Sequence, residues 1–264
     1  MCLSAKFNMP NIVLIIGSAP NAITASEWRK STFRNIVAIN NAWKVRGDWD
    51  YLIHPEDFPV ANRPQAVSAK QKIITSDEYV PIQNSYGGFV YAGGTMAFTA
   101  AYWALGALKP DILAFIGCDM VYPSTGIATH FYGTGAADPL RDDITLQSLE
   151  AKSTRLFYLA AQQQCLCLNL STADQSRMVF PRVSIEALEQ FNQQDYQQHT
   201  ELVSQMFDLT PIELAIQREQ AYAFYVESGR YWENLEAICA AKLSDLDGLW
   251  LNGLVSGHNA PIYK

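Results

Sequence analysis

Short apolar runs alternate with longer helical patterns along the first two-thirds of the chain. Residues 12–16 have the sequence Ile-Val-Leu-Ile-Ile, and unbroken apolar runs of this kind are typical of strands in a parallel sheet covered on both faces. The pattern predicts strands at residues 12–16, 36–39, 51–53, 72–75, 112–116 and 165–168, and helices at residues 22–30, 95–108 and 145–164. This alternation predicts an α/β fold with a Rossmann-like, doubly wound and mostly parallel sheet.

After residue 170 the pattern becomes helical, without further strand signals. Residues 184–207 are helix-compatible and rich in Gln, and residues 211–246 have an amphipathic repeat. We therefore predict a Rossmann-like nucleotide-sugar-binding domain at residues 1–183. A helical C-terminal extension at residues 184–264 would pack on the sheet domain or on a partner subunit.

Composition and charge narrow the class of protein. The 264 residues have a formal net charge of −7, which argues against a nucleic-acid partner, because a large nucleic-acid surface needs a basic face. The five cysteines are odd in number and match no zinc spacing; Cys165 and Cys167 would share one buried face of a strand. No segment resembles a signal peptide or is apolar for long enough to span a bilayer. We expect a cytoplasmic protein without a transmembrane segment, with homo-oligomerisation left open.

Small and amide side chains follow the first two predicted strands. The segments are Gly17-Ser18-Ala19-Pro20-Asn21 and Asn40-Asn41. Because ligands of open parallel sheets bind outside the carboxyl ends of the strands, these residues predict a pocket for a phosphate-bearing ligand. N–H groups after Gly17 would hold an anion, unless the segment is an ordinary turn with Pro20 in the first helical turn. Asn40 would bind a ribose or a base edge, or would serve only its own turn.

Further candidates follow the third strand and precede the second helix. His54 comes directly after residues 51–53, where it is either a ligand contact or a structural residue. Glycines before the helix at residues 95–108 would let a ligand approach its N–H groups, or would let the helix pack closely on a strand. The predicted nucleotide-binding residues are Gly17, Ser18, Ala19, Pro20, Asn21, Asn40, His54, Gly93, Gly94, Thr95 and Asp119.

The segment after the fifth strand carries the candidate catalytic groups. Asp119 and Tyr122 follow that strand, and the Asp119 carboxylate would hold a ribose or a metal, or would cap its own loop. His130 and Tyr132 lie within residues 121–143, whose length favours a mobile lid. Since His titrates nearest to neutral pH and is the usual proton acceptor, His130 is the candidate base; the alternative is a surface His of a loop.

Taken in this order, these segments resemble the bacterial sialyltransferases of glycosyltransferase family 42, over residues 11–170. Residues 17–21 are similar to the family's Gly-Asn-Gly-Pro-Ser loop, and Asn40 is similar to the Asn at the end of its next strand. His54-Pro55 is similar to an Asn-Pro of the family, Gly93-Gly94 to a Ser-Gly, residues 117–122 to Gly-Ile-Asp-Phe-Tyr, and residues 130–134 to His-Tyr-Ile-Gly-His. This chain lacks the Asn and the second Gly of the first loop, and Thr134 stands where the family has its catalytic His.

The resemblance implies an inverting glycosyltransferase that moves an acidic sugar from a CMP-sugar donor to a glycan hydroxyl. It implies no metal and no cofactor. His130 would be the base, and Tyr122 and Tyr132 would assist the leaving phosphate.

The chain is also similar to hydroxymethylpterin pyrophosphokinases and flagellin-glycosylation accessory proteins. That similarity implies a magnesium-dependent enzyme using Asp119 with Asp142 or Asp143. A third interpretation is a non-catalytic nucleotide- or sugar-binding protein.

Overall fold

The computed structural model describes residues 9–122, 128–134 and 141–255. Within these ranges one sheet contains six strands, all parallel to their neighbours. They are β1 Ile12–Ile16, β2 Asn35–Ile39, β3 Tyr51–Ile53, β4 Lys72–Ile74, β5 Ile112–Ile116 and β6 Leu166–Asn169. The spatial order is β4-β3-β2-β1-β5-β6. The prediction of a doubly wound α/β fold is therefore confirmed, and the strand order reverses between β1 and β5, which is where such folds bind ligands.

Helices cover both faces of this sheet and form most of the chain after β6. They are α1 Ser76–Ser85, α2 Phe89–Ala92, α3 Met96–Leu108, α4 Leu149–Gln162, α5 Ile185–Glu189, α6 Gln193–Ser204, α7 Leu209–Tyr222 and α8 Ala240–Asn252. Every side chain of β1 and of β5 is buried, as their continuous apolar sequence predicts. Cys165 and Cys167 are both buried as predicted. No helix of the described ranges is long and apolar enough to cross a membrane.

The predicted first helix is wrong in type. Residues 20–27 form a 3₁₀-helix rather than an α-helix. Its three-residue period places Ala22 and Ala25 on one side, where both are fully buried. The hydroxyls of Thr24 and Ser26 donate to the carbonyls of residues 21 and 23, which offers the backbone an alternative to α-helical hydrogen bonding.

The C-terminal helices pack on the sheet domain through α4. Helix α8 contacts both α4 and α7. Two ion pairs with buried side chains join α4 to these helices. Lys152 Nζ lies 2.7 Å from Asp247 Oδ1 on α8, and Arg155 donates to both carboxylate oxygens of Glu219 on α7. The extension is thus joined to a helix of the sheet domain by charge as well as by apolar packing.

Candidate functional site

The loop after β1 lies against the end of β5. Gly17 N–H donates to the Ile116 carbonyl at 2.8 Å, and Ala19 N–H donates to the Gly117 carbonyl at 2.9 Å. A Cβ on Gly17 would lie 2.2 Å from the Gly117 oxygen. Gly17 is therefore required for close approach of the two loops. Of the N–H groups after Gly17 that are predicted to hold an anion, that of Ala19 already has an acceptor within the protein, and the role of the rest of the segment stays a prediction.

Asn21 and Asp119 join three strand ends. Asn21 Nδ2 donates to Asp119 Oδ2 at 3.0 Å and to Ser171 Oγ at 2.7 Å, and the Ser171 hydroxyl donates to Asp119 Oδ2 at 2.6 Å. These bonds connect the loops after β1, β5 and β6. Sequence reasoning missed Ser171, which lies 150 residues from Asn21 along the chain. Asn21 Oδ1 and Asp119 Oδ1 remain buried, with no hydrogen-bond partner among the described residues.

The ends of β2 and β3 place Asn40 beside His54. Ile39 pairs with Ile53, so the next residues are neighbours at the same sheet edge. Asn40 has a left-handed backbone, with φ of 51°. His54 is buried, and its Nδ1 lies 2.8 Å from the Pro55 carbonyl. Because a carbonyl only accepts, Nδ1 carries the proton and Nε2 of the neutral ring is an acceptor.

Five buried acceptor atoms at this edge have no hydrogen-bond partner within the described part of the chain. They are Asn21 Oδ1, Asn40 Oδ1, Asn41 Oδ1, His54 Nε2 and Asp119 Oδ1. An unsatisfied buried polar group costs about 1–3 kcal/mol, so a cluster of them indicates a function. Asn21 and Asn40 are only partly buried as residues. The set is suited to hydroxyl or amino donors rather than to phosphate oxygens.

The start of α3 is covered by other parts of the protein. Gly94 N–H donates to Thr145 Oγ1 at 2.9 Å, and a Cβ on Gly94 would lie 2.5 Å from the Tyr231 hydroxyl oxygen. Gly93 N–H donates to the Phe89 carbonyl, and Thr95 caps the helix by accepting from the N–H of residue 98. The N–H groups of Gly93 and Gly94 therefore have intramolecular acceptors, and the approach of a ligand to the first N–H groups of the helix itself stays a prediction.

His130 is held close to the loop after β1. The N–H of Phe131 donates to the Ser18 carbonyl at 3.0 Å. His130 is buried and its Nδ1 lies 2.8 Å from Thr129 Oγ1. The ring centroids of Tyr132 and Tyr122 lie 4.9 and 6.1 Å from that of His130. Burial lowers the pKa of His130, which keeps its imidazole neutral and able to accept a proton near pH 7.

The rest of the predicted lid is described only in part. Residues 123–127 and 135–140 lie outside the described ranges. At its C-terminal end, Asp143 accepts from the Tyr231 hydroxyl at 2.6 Å and from Thr145 at 2.8 Å through the backbone N–H. Burial opposes ionisation of Asp143, but hydrogen bonds from Tyr231 and Thr145 hold its pKa below the usual value. Asp143 is thus engaged with protein donors, which disfavours it as a magnesium ligand beside Asp119.

The described residues at this edge of the sheet do not form a cluster of metal ligands. The described residues contain no group of three His, Cys, Asp or Glu side chains that could hold a metal ion.

A cavity of about 460 Å³ lies beside the site, between the loops after β5 and β6. Its wall includes Arg177, whose backbone N–H donates to the Asp119 carbonyl at 2.9 Å. Sequence reasoning did not predict this cavity.

Comparisons of the chain with protein-family models, with curated proteins and with solved structures find no match.

Proposed function

We propose that this protein transfers an acidic sugar from a CMP-sugar donor to a glycan hydroxyl, with inversion. One observation carries the proposal: the hydrogen bond from Phe131 to Ser18 holds His130 beside the loop after β1. The nearby strand ends present the five unpartnered acceptors. A proton acceptor and a cluster of unpartnered acceptor atoms therefore share one edge of the sheet, near the switch point of the fold.

The unpartnered acceptors support a nucleoside at this edge. A ribose supplies two hydroxyl donors and cytosine supplies an amino donor, whereas a phosphate supplies acceptors only. Asn40 and His54 would accept from the nucleoside, and Asn21 and Asp119 would fix its orientation. Every hydrogen bond formed in this way would remove the cost of an unsatisfied buried group.

His130 would act as general base on the acceptor. In the tautomer in which Nδ1–H donates to Thr129 Oγ1, Nε2 takes the proton of the acceptor hydroxyl. The acceptor oxygen then bonds to the anomeric carbon, the bond from that carbon to the phosphate oxygen breaks, and CMP leaves with the electron pair. Inversion follows because the acceptor attacks from the face opposite to the leaving group.

The leaving phosphate needs donors, because its charge increases in the transition state. The N–H groups of Gly17, Ala19 and Gly94 donate within the protein. We therefore assign this role to the hydroxyls of Tyr122 and Tyr132. The Tyr132 ring stacks on His130 and is 46% exposed, which leaves room for a phosphate at its edge.

A ligand panel tests the binding part of the proposal. Thermal unfolding is measured with CMP, CDP, UDP, ATP and GDP, each with magnesium or with EDTA. We expect CMP or CDP to raise the midpoint in EDTA. Stabilisation by ATP that requires magnesium would contradict the proposal and favour the pyrophosphokinase-like alternative.

The variant His130→Ala tests the chemistry. Loss of a general base lowers rates by about 10²- to 10⁴-fold, so release of CMP from a CMP-sugar should fall by that order while stabilisation by CMP persists. His199→Gln is the matched control, since His199 is a buried His on α6 and should leave turnover unchanged. Equal turnover in His130→Ala and the unmodified protein would remove His130 from the mechanism.

One observation favours a second candidate, a non-catalytic nucleotide-binding protein. Thr134 occupies the position at which the family that this chain resembles has its catalytic His. Stabilisation by CMP without turnover of any CMP-sugar would support that function instead.

A further inference from the structure

The cavity beside the site has a charged wall that begins at the end of β6. Asn169, the last residue of that strand, donates its N–H to the Pro181 carbonyl at 2.8 Å, and its own carbonyl accepts from the Val183 N–H at 3.1 Å. These two bonds form a parallel bridge to Arg182, whose side chain lines the cavity. Backbone pairing therefore places this guanidinium at the carboxyl edge of the sheet, where such folds bind ligands.

The charge of Arg182 is not neutralised by the described part of the chain. Its Nη1 donates to the Ser171 carbonyl at 3.2 Å and to the Ala173 carbonyl, whereas its Nε and Nη2 donate to no described residue. Both acceptors are neutral, and no carboxylate of the described residues forms an ion pair with this side chain. Arg182 is only partly exposed. Because a partly buried charge is unfavourable without a counter-charge, the cavity is suited to an anionic group.

The other side chains of the wall are suited to a sugar. Met178 and Phe180 are buried and form an apolar part of the wall, and Ser176 contributes a hydroxyl. The second cation of the wall, Arg177, is already paired, with Nη1 3.5 Å from Glu150 Oε1. A sugar likewise has apolar C–H faces and polar hydroxyl edges. The cavity volume of about 460 Å³ lies within the range of small-ligand pockets.

Direct contacts join this cavity to the candidate site. Ser171, whose carbonyl accepts from Arg182, donates its hydroxyl to Asp119 Oδ2 at 2.6 Å. Val121 lines the cavity, and the ring centroid of the next residue, Tyr122, lies 6.1 Å from that of the candidate base. The cavity therefore adjoins residues to which the proposed function assigns binding and catalysis.

The strand order places the parts of a CMP-sugar in sequence along this edge. Asn40 and His54 follow β2 and β3, the Ser18 carbonyl that accepts from the segment carrying His130 follows β1, and the cavity lies after β5 and β6. Strand β1 lies between β2 and β5. A donor with its nucleoside at β2 and β3 and its phosphate near His130 would therefore extend its sugar into the cavity.

We propose that Arg182 is a specificity-determining residue, which binds the carboxylate of the transferred sugar in this cavity. Its Nε and Nη2 are adjacent donors that match the two oxygens of a carboxylate in a bidentate pair. A phosphate accepts from the same donors, so the experiment includes both anions. The identity of the donor rests on the proposed function, whereas the preference of the cavity for a carboxylate does not.

Binding of N-acetylneuraminic acid, a nine-carbon acidic sugar, and of its neutral methyl ester measures this preference. Both are titrated by NMR into the full chain, with and without CMP, and inorganic phosphate and CMP alone are titrated in the same way. We expect the acid to bind at least about 10-fold more tightly than the ester, the effect of one charge-assisted hydrogen bond.

Arg182→Gln removes the charge and should bring the affinities for the acid and the ester to within about 2-fold of each other. Arg182→Lys keeps the charge but loses the bidentate fork, and its preference for the acid should lie between those of Arg182→Gln and the unmodified protein. Because both ligands are compared on the same variant, a loosened loop after β6 weakens both and leaves their ratio to report on the charge.

Arg63→Gln is the matched control. Arg63 is also partly buried and also donates to backbone carbonyls, those of residues 56 and 58. It follows β3, however, and is not part of the cavity wall. This variant should keep the preference of the unmodified protein for the acid.

The outcomes separate this inference from the proposed function. Equal affinities for acid and ester in the unmodified protein, or a preference that Arg182→Gln leaves intact, would overturn the role of Arg182. Weaker binding of phosphate or CMP to Arg182→Gln, with the preference for the acid unchanged, would also overturn it and would assign Arg182 to a phosphate. A protein that prefers the acid but releases no CMP from any CMP-sugar has the carboxylate site without the proposed transfer. Release of CMP without a preference for the acid has the reverse meaning.

Discussion

Asn40 combines two features that are unfavourable for folding. Residues other than Gly adopt its φ of 51° only at an energetic cost. Its side-chain oxygen is buried without a hydrogen-bond partner among the described residues. Asn tolerates this backbone better than most residues, but Gly would tolerate it best. The choice of Asn at this position is therefore better explained by binding than by stability.

Asn40→Gly should separate these two contributions. We expect the free energy of unfolding of the ligand-free protein to stay the same or to rise by up to about 1 kcal/mol. CMP binding should weaken about 3- to 10-fold, the effect of one hydrogen bond. Urea unfolding and titration calorimetry measure the two quantities.

Lys109→Gly provides the control for the backbone effect. Lys109 ends α3 with φ of 46° and lies at the opposite edge of the sheet, before β5. It should gain stability without any change in CMP binding. If Asn40→Gly binds CMP as tightly as the unmodified protein, Asn40 serves only its turn.

The buried environment of His130 predicts the pH dependence of turnover. Burial lowers the pKa of His130, so the neutral, proton-accepting form persists to lower pH than for an ordinary His, whose pKa is about 6.5. The acidic limb of the kcat profile should therefore lie below pH 6.5, and turnover should fall as the pH decreases through the pKa. An acidic limb above pH 6.5 would show that another group is the base.

At the scale of elements, Gly17 joins β1 to β5. A Cβ at this position would lie 2.2 Å from a backbone oxygen and 2.7 Å from the Cys118 sulfur, and backbone atoms cannot move aside cheaply. We expect Gly17→Ala to lower the free energy of unfolding by about 2 kcal/mol or more. Gly47→Ala is the control, because nothing lies within 4 Å of its Cβ position. Similar urea midpoints for both variants would mean that the loops after β1 and β5 can separate freely.

The strands were predictable because a parallel sheet requires continuous apolar runs. Strands β1, β3 and β5 have the predicted bounds, and β2 is longer by one residue. Helix α1 was missed, since Pro81 interrupts its pattern and removes one helical hydrogen bond. The signal that could have found it is the capping box of Thr75 and Glu78.

The site was predictable only where it follows strand ends. Asn40, His54 and Asp119 are located by the end of an apolar run, which is a local signal. Ser171 is not, because it contributes through partners far away in sequence. The acceptors of the Gly17, Ala19 and Gly94 N–H groups could not be predicted for the same reason, because they belong to other segments of the chain.

At the scale of the whole molecule, two buried ion pairs hold the C-terminal extension, and they differ in how well they are satisfied. Arg155 also donates to the Tyr102 hydroxyl, and Glu219 also accepts from the Trp250 indole N–H. Asp247, by contrast, has one carboxylate oxygen without a partner in the described ranges, and burial raises its pKa despite the nearby Lys152. The second pair is therefore the one in which desolvation most nearly cancels the attraction.

Asp247→Asn should destabilise the protein by roughly 3–5 kcal/mol, because it leaves the Lys152 ammonium buried without its counter-charge. The double variant Lys152→Met, Asp247→Leu should recover most of that loss, since apolar residues of similar volume often replace buried pairs without cost. Urea unfolding of both variants measures the difference. A double variant as unstable as Asp247→Asn would mean that each charge is needed separately. Recovery with retained CMP binding would mean instead that the extension is held by packing on α4 without this ion pair.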